Sequence, residues 1–337
     1  MSGRGRGQVD YRDQRPENRG VRGGAIYPRG EDGSIVISGA ELIRQMEAWA
    51  RANGVQIVTG AEVTAILRDE SGRVNGLRVK DGDQEQLFHA DKGVVFGSGG
   101  YSHNEEYMLQ FQRGPHYGGC AVPTNTRDFI RMGGAIGARI GNTAGAFRAQ
   151  SMIEAYLKNP GGSSNVFYLP GDSMLVVDKY GRRVVDETRN HTDRAMIHFI
   201  WDPVRAEWKN LLTFMLFDAR TATLWQGVPP YPAAGEDAPY LIQADTLEAL
   251  ERQLAQRLEG LAKYTGGFAL EPDFLPTLKT TLRRFNAYAK CGIDEDFLRG
   301  STAYDREWTT FPPVAPDVQW PEAKNYTLHP LADEGPY

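Results

Sequence analysis

The sequence predicts an α/β fold in two parts, and three observations carry that prediction. Short strands separated by turn residues run through residues 55–89. The apolar run Val94-Val95-Phe96 stops at Gly97-Ser98-Gly99-Gly100, and a helix start follows at Asn104-Glu105-Glu106. Leucine stripes at helical spacing then fill the second half. A strand that ends in glycines and feeds a helix N-terminus is how α/β proteins hold a phosphate-bearing cofactor. A chain of 337 residues is more readily two domains than one.

Taken in order, residues 1–37 read as an irregular Arg/Gly-rich arm. The first thirty hold seven arginines and little that packs, with Asp10, Asp13 and Glu17 diluting the charge. An Arg/Gly tail can bind RNA, but thin aromatic content and a net charge of −5 give no reason to expect a nucleic-acid partner. From Ser38 the pattern is regular. Ser38-Gly39-Ala40-Glu41 fits a capping box, Leu42, Ile43, Met46 and Trp49 share one helical face, and Asn53-Gly54 ends the helix. Strands are expected at Val55–Val58, Glu62–Arg68, Val74–Lys80 and Leu87–His89, separated by the turn sequences DESGR and KDGD. The buried strand into the glycine turn comes next, then a helix over Thr126–Gly137. The usual partner of such a turn, an opening strand with GxGxxG, is nowhere upstream.

After about Phe147 the composition shifts to Pro- and Gly-rich loops, tryptophans and long helices, which places a boundary near residue 148. Asp245 to Glu248 fits a capping box before the stripe Leu247, Leu250, Leu254, Leu258 and Leu261. Leu278, Leu282, Phe285 and Ala289 form another stripe, stopped at Gly292. In DKYGRRVVDE, Tyr180-Gly181 reads as a hairpin turn with Arg182-Arg183 an exposed pair, and His198 as a satisfied, partly buried histidine. The most apolar run, residues 211–217, is too short to span a bilayer, and the N-terminus does not read as a signal peptide. With only Cys120 and Cys291, disulfides are not expected and the cytoplasm is the expected location. No zinc spacing, EF-hand, GxSxG or Walker loop is present.

Four segments in a fixed order carry a family resemblance: GAEVTAILRDESGRVNGLRV (60–79), KGVVFGSGGYSHNEEYM (92–108), TRDFIRMGGAIGA (126–138) and VVDKYGRRVVDETR (176–189). Together they resemble the flavoprotein family of fumarate reductase and succinate dehydrogenase subunits and ketosteroid dehydrogenases, and FNAYAKCGIDEDFLRG (285–300) resembles the ketosteroid dehydrogenase branch. The resemblance covers residues 38–337 and implies the middle of such an enzyme. Residues 38–147 correspond to a partial, Rossmann-like FAD-binding domain, 148–310 to an inserted α+β cap for the substrate, and 311–337 to a segment returning toward the FAD domain. FAD is the implied cofactor. The implied activity is oxidation or reduction of an activated C–C bond in a small molecule, by hydride exchange with the flavin. A partner chain supplying the GxGxxG unit, or a non-catalytic binding protein, are the alternatives that the missing unit leaves open.

The resemblance also implies site residues. Val63, with Glu62 beside it, matches the strand whose backbone contacts the adenine, and Ser98, Gly99, Gly100 and Tyr101 match the turn along the cofactor. Asp128 is retained from the family's Thr-Gly-Asp-Gly, whereas Arg127 and Phe129 stand where it has glycines. Glu187 matches the acid that the hairpin brings to the substrate. Arg189 and His191 follow it as relay partners, the arginine keeping the carboxylate ionised and the histidine titrating near neutrality. Arg220, just after the strand TFMLFDAR (213–220), is expected to bind substrate or act as an acid, which needs a neighbouring carboxylate. The His-Pro of fumarate reductases and the catalytic tyrosines of ketosteroid dehydrogenases have no match.

Overall fold

A computed structural model describes residues 27–36, 38–159, 169, 171–302, 305, 327–332 and 335–337. The expected arm therefore lies mostly outside the described residues. The chain divides into two compact units, the first comprising the described residues up to 112 with 121–145, the second 113–120 and the described residues from 146 onward.

In the first unit, α1 (Gly39–Ala52) starts where the Ser38 hydroxyl accepts the Glu41 N–H at 3.2 Å. The Glu41 carboxylate does not return to the cap; it holds Arg44 and Gln45, each at 2.7 Å. The expected apolar stripe of α1 is there, but it is not covered: Ile43, Met46 and Trp49 are 60, 50 and 68% exposed, and no residue of the helix is buried. Three antiparallel strands follow, β1 (Glu62–Arg68), β2 (Val74–Asp81) and β3 (Gln84–His89), in the order β1-β2-β3. Their tight connections come from the turn residues, with Asp69 accepting the N–H groups of Ser71 and Arg73 and Gly72 at φ 85°.

Two expected strands do not form. Val55–Val58 and Val94–Phe96 have no ladder partner among the described residues, and Val95 is 95% exposed. An apolar run becomes a strand only when a neighbouring strand takes its N–H and C=O groups, which is a non-local requirement. After the glycine turn, Asn104 caps α2 (Glu105–Phe111) by accepting the Tyr107 N–H at 2.9 Å. The last helix of this unit, α3 (Asp128–Ala135), is shorter than the expected 126–137.

The second unit is built on a long-helix core. After α4 (Ile153–Lys158), β4 (Met174–Val177) is buried over its whole length and pairs antiparallel with β7 (Phe214–Phe217), Met174 facing Phe217 and Val177 facing Phe214. Between them lie α5 (His191–Ala195), a short 3₁₀ turn at Met196–Phe199, and the hairpin of β5 (Trp201–Asp202) and β6 (Glu207–Trp208). Three helices complete the unit: α6 (Ala219–Leu224), α7 (Leu247–Thr265) and α8 (Phe274–Cys291). The leucine stripes are core, as their spacing predicts. Leu254, Leu278, Leu282, Phe285 and Ala289 join Leu175, Val177 and Leu216 in one buried cluster, with Leu247 and Leu250 packed on its edge, and α8 ends at Gly292 with φ 76°.

The cap of α7 is Thr246 and not Asp245, since Thr246 has the extended backbone (φ −139°) that brings its Oγ1 to the Ala249 N–H at 3.2 Å. Glu248 is thereby left to pair with Lys279. His198 is satisfied as expected, its Nδ1 2.6 Å from the Asn210 carbonyl oxygen and its Nε2 3.0 Å from the Gln150 amide. Leu328 and Leu331, in the stretch expected to return toward the FAD domain, are part of the buried cluster of this second unit.

Candidate functional site

Two features of the glycine turn in the first unit bear on what it can hold. Gly99 has φ 74°, and a Cβ built there would stand 2.4 Å from the Asn125 side chain. The Ser98 hydroxyl is buried with no hydrogen-bond partner among the described residues. Tyr101 is fixed at the end of the turn: its hydroxyl donates to the Thr143 carbonyl and accepts from the Gln112 amide, and its ring meets Tyr107 and Phe111 edge-on. Open space lies where a Cβ would stand at Gly97 and Gly100, beside the unsatisfied buried hydroxyl, so the turn leaves room for the close approach of a polar ligand and these residues fit FAD.

Val63 pairs with Val79, Glu62 with Lys80, and the ladder slips between Val63 and Ala65, where Thr64 forms a bulge with its hydroxyl 3.3 Å from the Arg78 carbonyl. Bulges interrupt the ladder and re-aim a strand, and they are over-represented near sites. Asp128 is the first residue of α3. Arg127 before it has φ 142°, in the region that favours the glycine it replaces. The side chain of Arg127 lies over the Tyr107 ring at 5.7 Å and pairs with Glu106 at 3.6 Å. Phe129 packs on Phe96, with ring centroids 5.3 Å apart.

In the second unit the hairpin turn is as read: Asp178 accepts from Tyr180 and Arg182, and Gly181 has φ 76°. Its arginines are not an exposed pair. Arg182 is exposed, whereas Arg183 is buried and pairs with Glu187 at 2.6 Å and Asp294 at 2.8 Å. Glu187 is 0% exposed; its carboxylate also takes Arg299 at 3.1 Å and the Val176 N–H at 3.0 Å. Burial alone pushes this carboxyl up, but Arg183, then Arg299 and the Val176 N–H, hold it below the usual carboxylate range.

The expected relay is therefore not assembled. Arg189 pairs with Asp186 at 3.1 Å, and His191 Nδ1 lies 2.9 Å from the Arg148 carbonyl with its ring against Phe147. Glu187 is an enclosed charge that fixes the hairpin, because no exposed surface remains to meet a substrate. Beside it, burial and then the charge of Asp305 push Asp186 up to about 6.

Arg220 has the neighbouring carboxylate its expected role requires. Its Nε and Nη2 donate to the buried Asp172 at 2.8 and 3.1 Å, and its side chain stays 26% exposed. The preceding Asp218 caps α6, accepting from Arg220 N at 3.1 Å, Thr221 N at 3.3 Å and the Ser173 hydroxyl at 2.5 Å. Sequence reasoning missed Asp172, Arg183 as a buried charge, and Arg299. Arg299 is 112 residues from Glu187 in the chain, so no spacing pattern reports the pair. The Gly171-Asp172 dipeptide was the one local signal, a turn in which both residues have positive φ.

An α/β unit whose glycine turn fits a cofactor, followed by a helical unit with a braced arginine, defines a flavoprotein-type chain. Residues 4–332 match the FAD binding domain family, and the chain belongs to it; FAD is its cofactor. The match begins inside the stretch expected to be an arm. The chain is 29% identical over 311 residues to 4-oxocyclohexanecarboxylate 2-dehydrogenase of Sinomonas cyclohexanicum, covering 90% of this chain and 49% of that one. It is 26% identical to 3-oxosteroid 1-dehydrogenase of Mycobacterium tuberculosis, covering 81% of this chain and 47% of the relative. The crystal structure of 3-ketosteroid delta1-dehydrogenase from Sterolibacterium denitrificans has the same fold, with a TM-score of 0.62 at 21% identity, over 85% of this chain and 48% of that one. The chain thus spans about half the length of the curated relatives it matches. Among the described residues no helix is long and apolar enough to cross a membrane, and no group of His, Cys, Asp and Glu has the arrangement of a metal site.

Proposed function

We propose that this chain serves a flavin-dependent dehydrogenase or reductase acting on a C–C bond activated by an adjacent oxo group in a cyclic substrate. The observation that carries the reading is the glycine turn, where open space at Gly97 and Gly100 and a Ser98 hydroxyl with no partner among the described residues coincide in a chain matched to the FAD binding domain family. Its relatives by name act on a 4-oxocyclohexanecarboxylate and on 3-oxosteroids, which supports the oxo-compound class.

In this reading Ser98, Gly99, Gly100 and Tyr101 hold the cofactor along the turn, and Glu62 and Val63 offer backbone groups to its adenine. FAD supplies hydride exchange. Arg220 donates N–H groups to the substrate oxygen, polarising the carbonyl and acidifying the adjacent C–H, while Asp172 holds the guanidinium in one pose. Glu187 acts at a distance, keeping the hairpin closed.

The test is turnover of 4-oxocyclohexanecarboxylate and of a 3-oxosteroid by the FAD-loaded chain with an artificial electron acceptor. Arg220→Lys is expected to lower kcat/KM about a hundredfold, since an ammonium cannot present two fixed N–H groups at once. Unchanged turnover in that variant would remove Arg220 from the site.

A second reading, in which another polypeptide completes the FAD domain, is favoured by the uncovered face of Ile43, Met46 and Trp49 and the unpaired Val94–Phe96 segment. In that case FAD is held by the mixture and not by the chain alone.

A further inference from the structure

Asp172 is buried and has φ 72°, a conformation that a non-glycine residue keeps only when its surroundings impose it. Those surroundings are visible. Its N–H donates to the Thr327 carbonyl at 2.9 Å, its own carbonyl accepts from Arg299 Nη2 at 2.8 Å, and Ser173 N donates back to Oδ1 at 2.7 Å. The carboxylate is thereby aimed, with both oxygens, at Nε and Nη2 of Arg220. The remaining amino group of Arg220, Nη1, has no partner among the described residues.

Charge is as telling as geometry. Asp218, whose backbone starts the same short helix, receives four neutral donors: Ser173 Oγ at 2.5 Å, Ala332 N at 3.0 Å, Arg220 N at 3.1 Å and Thr221 N at 3.3 Å. The Arg220 guanidinium is already paired with the Asp172 carboxylate, Arg299 beside it is paired with Glu187, and the Asp218 carboxylate receives only neutral donors, so carboxylates outnumber unpaired cations around Arg220. A substrate carboxylate brought to Nη1 meets that excess of negative charge, whereas a neutral carbonyl oxygen accepts the N–H without the penalty.

We infer that Asp172 is the positioning residue for Arg220 and that, by offsetting its charge, it sets this site for an uncharged oxo group over a carboxylate. The inference rests on the reading that Arg220 meets the substrate, and it adds which end of an oxo acid Arg220 receives. A merely structural Asp172 would tie the segment at 171–173 to residues 327–332 and have no effect on ligand charge preference.

The experiment compares 4-oxocyclohexanecarboxylate with its uncharged methyl ester, binding being read from tryptophan fluorescence of the FAD-loaded full chain. Wild type is expected to bind the ester more tightly. Asp172→Asn is expected to shift the acid-to-ester affinity ratio about tenfold toward the acid, by freeing one positive charge. Asp172→Gly, which adopts φ 72° without strain, is expected to produce the same shift and guards against a folding defect in the first variant. Equal weakening of both ligands in both variants, or no change, overturns the inference. If neither ligand binds wild type, the substrate reading fails, and phenylglyoxal labelling of Arg220 followed by mass spectrometry decides the positioning role by itself. Loss of the carboxylate should then raise the labelling rate severalfold, and an unchanged rate overturns the inference.

Discussion

Glu187→Ala is expected to cost the second unit about 3–5 kcal/mol, because it removes the buried carboxylate that Arg183 and Arg299 share. Arg299 loses the partner at 3.1 Å, while Arg183 keeps Asp294 at 2.8 Å. Urea unfolding followed at the tryptophans, of which Trp225 is 2% exposed, reads the loss directly. The pH dependence identifies the cause. Glu187 is held below the usual carboxylate range, so its contribution is complete above the unfolded carboxyl's pKa of about 4.3 and is lost as pH falls through the lower folded value. Asp186 works the other way: with its carboxyl at about 6 when folded, it binds more protons folded than unfolded, and stability declines as pH rises from about 4 to about 6. The alanine variant should lose the acid limb that belongs to Glu187 and keep the decline that belongs to Asp186. A wild-type acid limb in Glu187→Ala would show that the charge triad contributes nothing.

Gly181→Val is expected to be comparably severe. Gly181 has φ 76°, and a Cβ there would stand 2.5 Å from the Phe274 carbonyl oxygen and 2.8 Å from Leu278 N. These are backbone atoms at the start of α8, which cannot swing aside as a side chain can. The left-handed backbone costs about 1–2 kcal/mol for an ordinary residue, and the collision adds roughly 1–3 kcal/mol. The hairpin and the first turn of α8 must separate, which uncovers Phe274 and Leu278 in the main core. A chain that unfolds at lower urea by an amount worth about 3 kcal/mol is the expected result. Stability within about 0.5 kcal/mol of wild type would mean that the hairpin does not seat on α8 in solution.

These two sites show what was legible in the sequence. Tyr180-Gly181 could be read as a turn because glycine and the Asp178 side chain encode it locally. For the same reason α1, β1, β2, α7 and α8 fall where periodicity and caps place them, with the α7 cap displaced by one residue, while β3 starts at Gln84 and not at Leu87. What failed was non-local. Val55–Val58 and Val94–Phe96 have strand composition, but a ladder depends on a second segment that composition does not reveal. Glu187 was singled out as an acid with cations beside it. The cations that hold it are Arg183, four residues back in sequence, and Arg299, from a distant loop, rather than Arg189 and His191. Arg220 and its need for a carboxylate could be argued from chemistry, while Asp172 could not be named, because its pairing depends on a backbone held by Thr327 and Arg299. In the glycine turn, residue type alone indicates the close approach, and only the fold shows that Ser98 lacks a partner among the described residues.

The claim on which the rest depends is that this chain's own glycine turn holds FAD, and a visible absorption spectrum tests it most directly. The purified chain is mixed with FAD, passed through a gel-filtration column to remove free cofactor, and scanned beside a Gly99→Val variant. The account predicts a flavin spectrum that travels with the wild-type protein and is lost in the variant, since a side chain at φ 74° is strained and collides with Asn125, so the turn cannot keep its shape. A colourless wild-type chain, or a variant that retains flavin equally well, would contradict it.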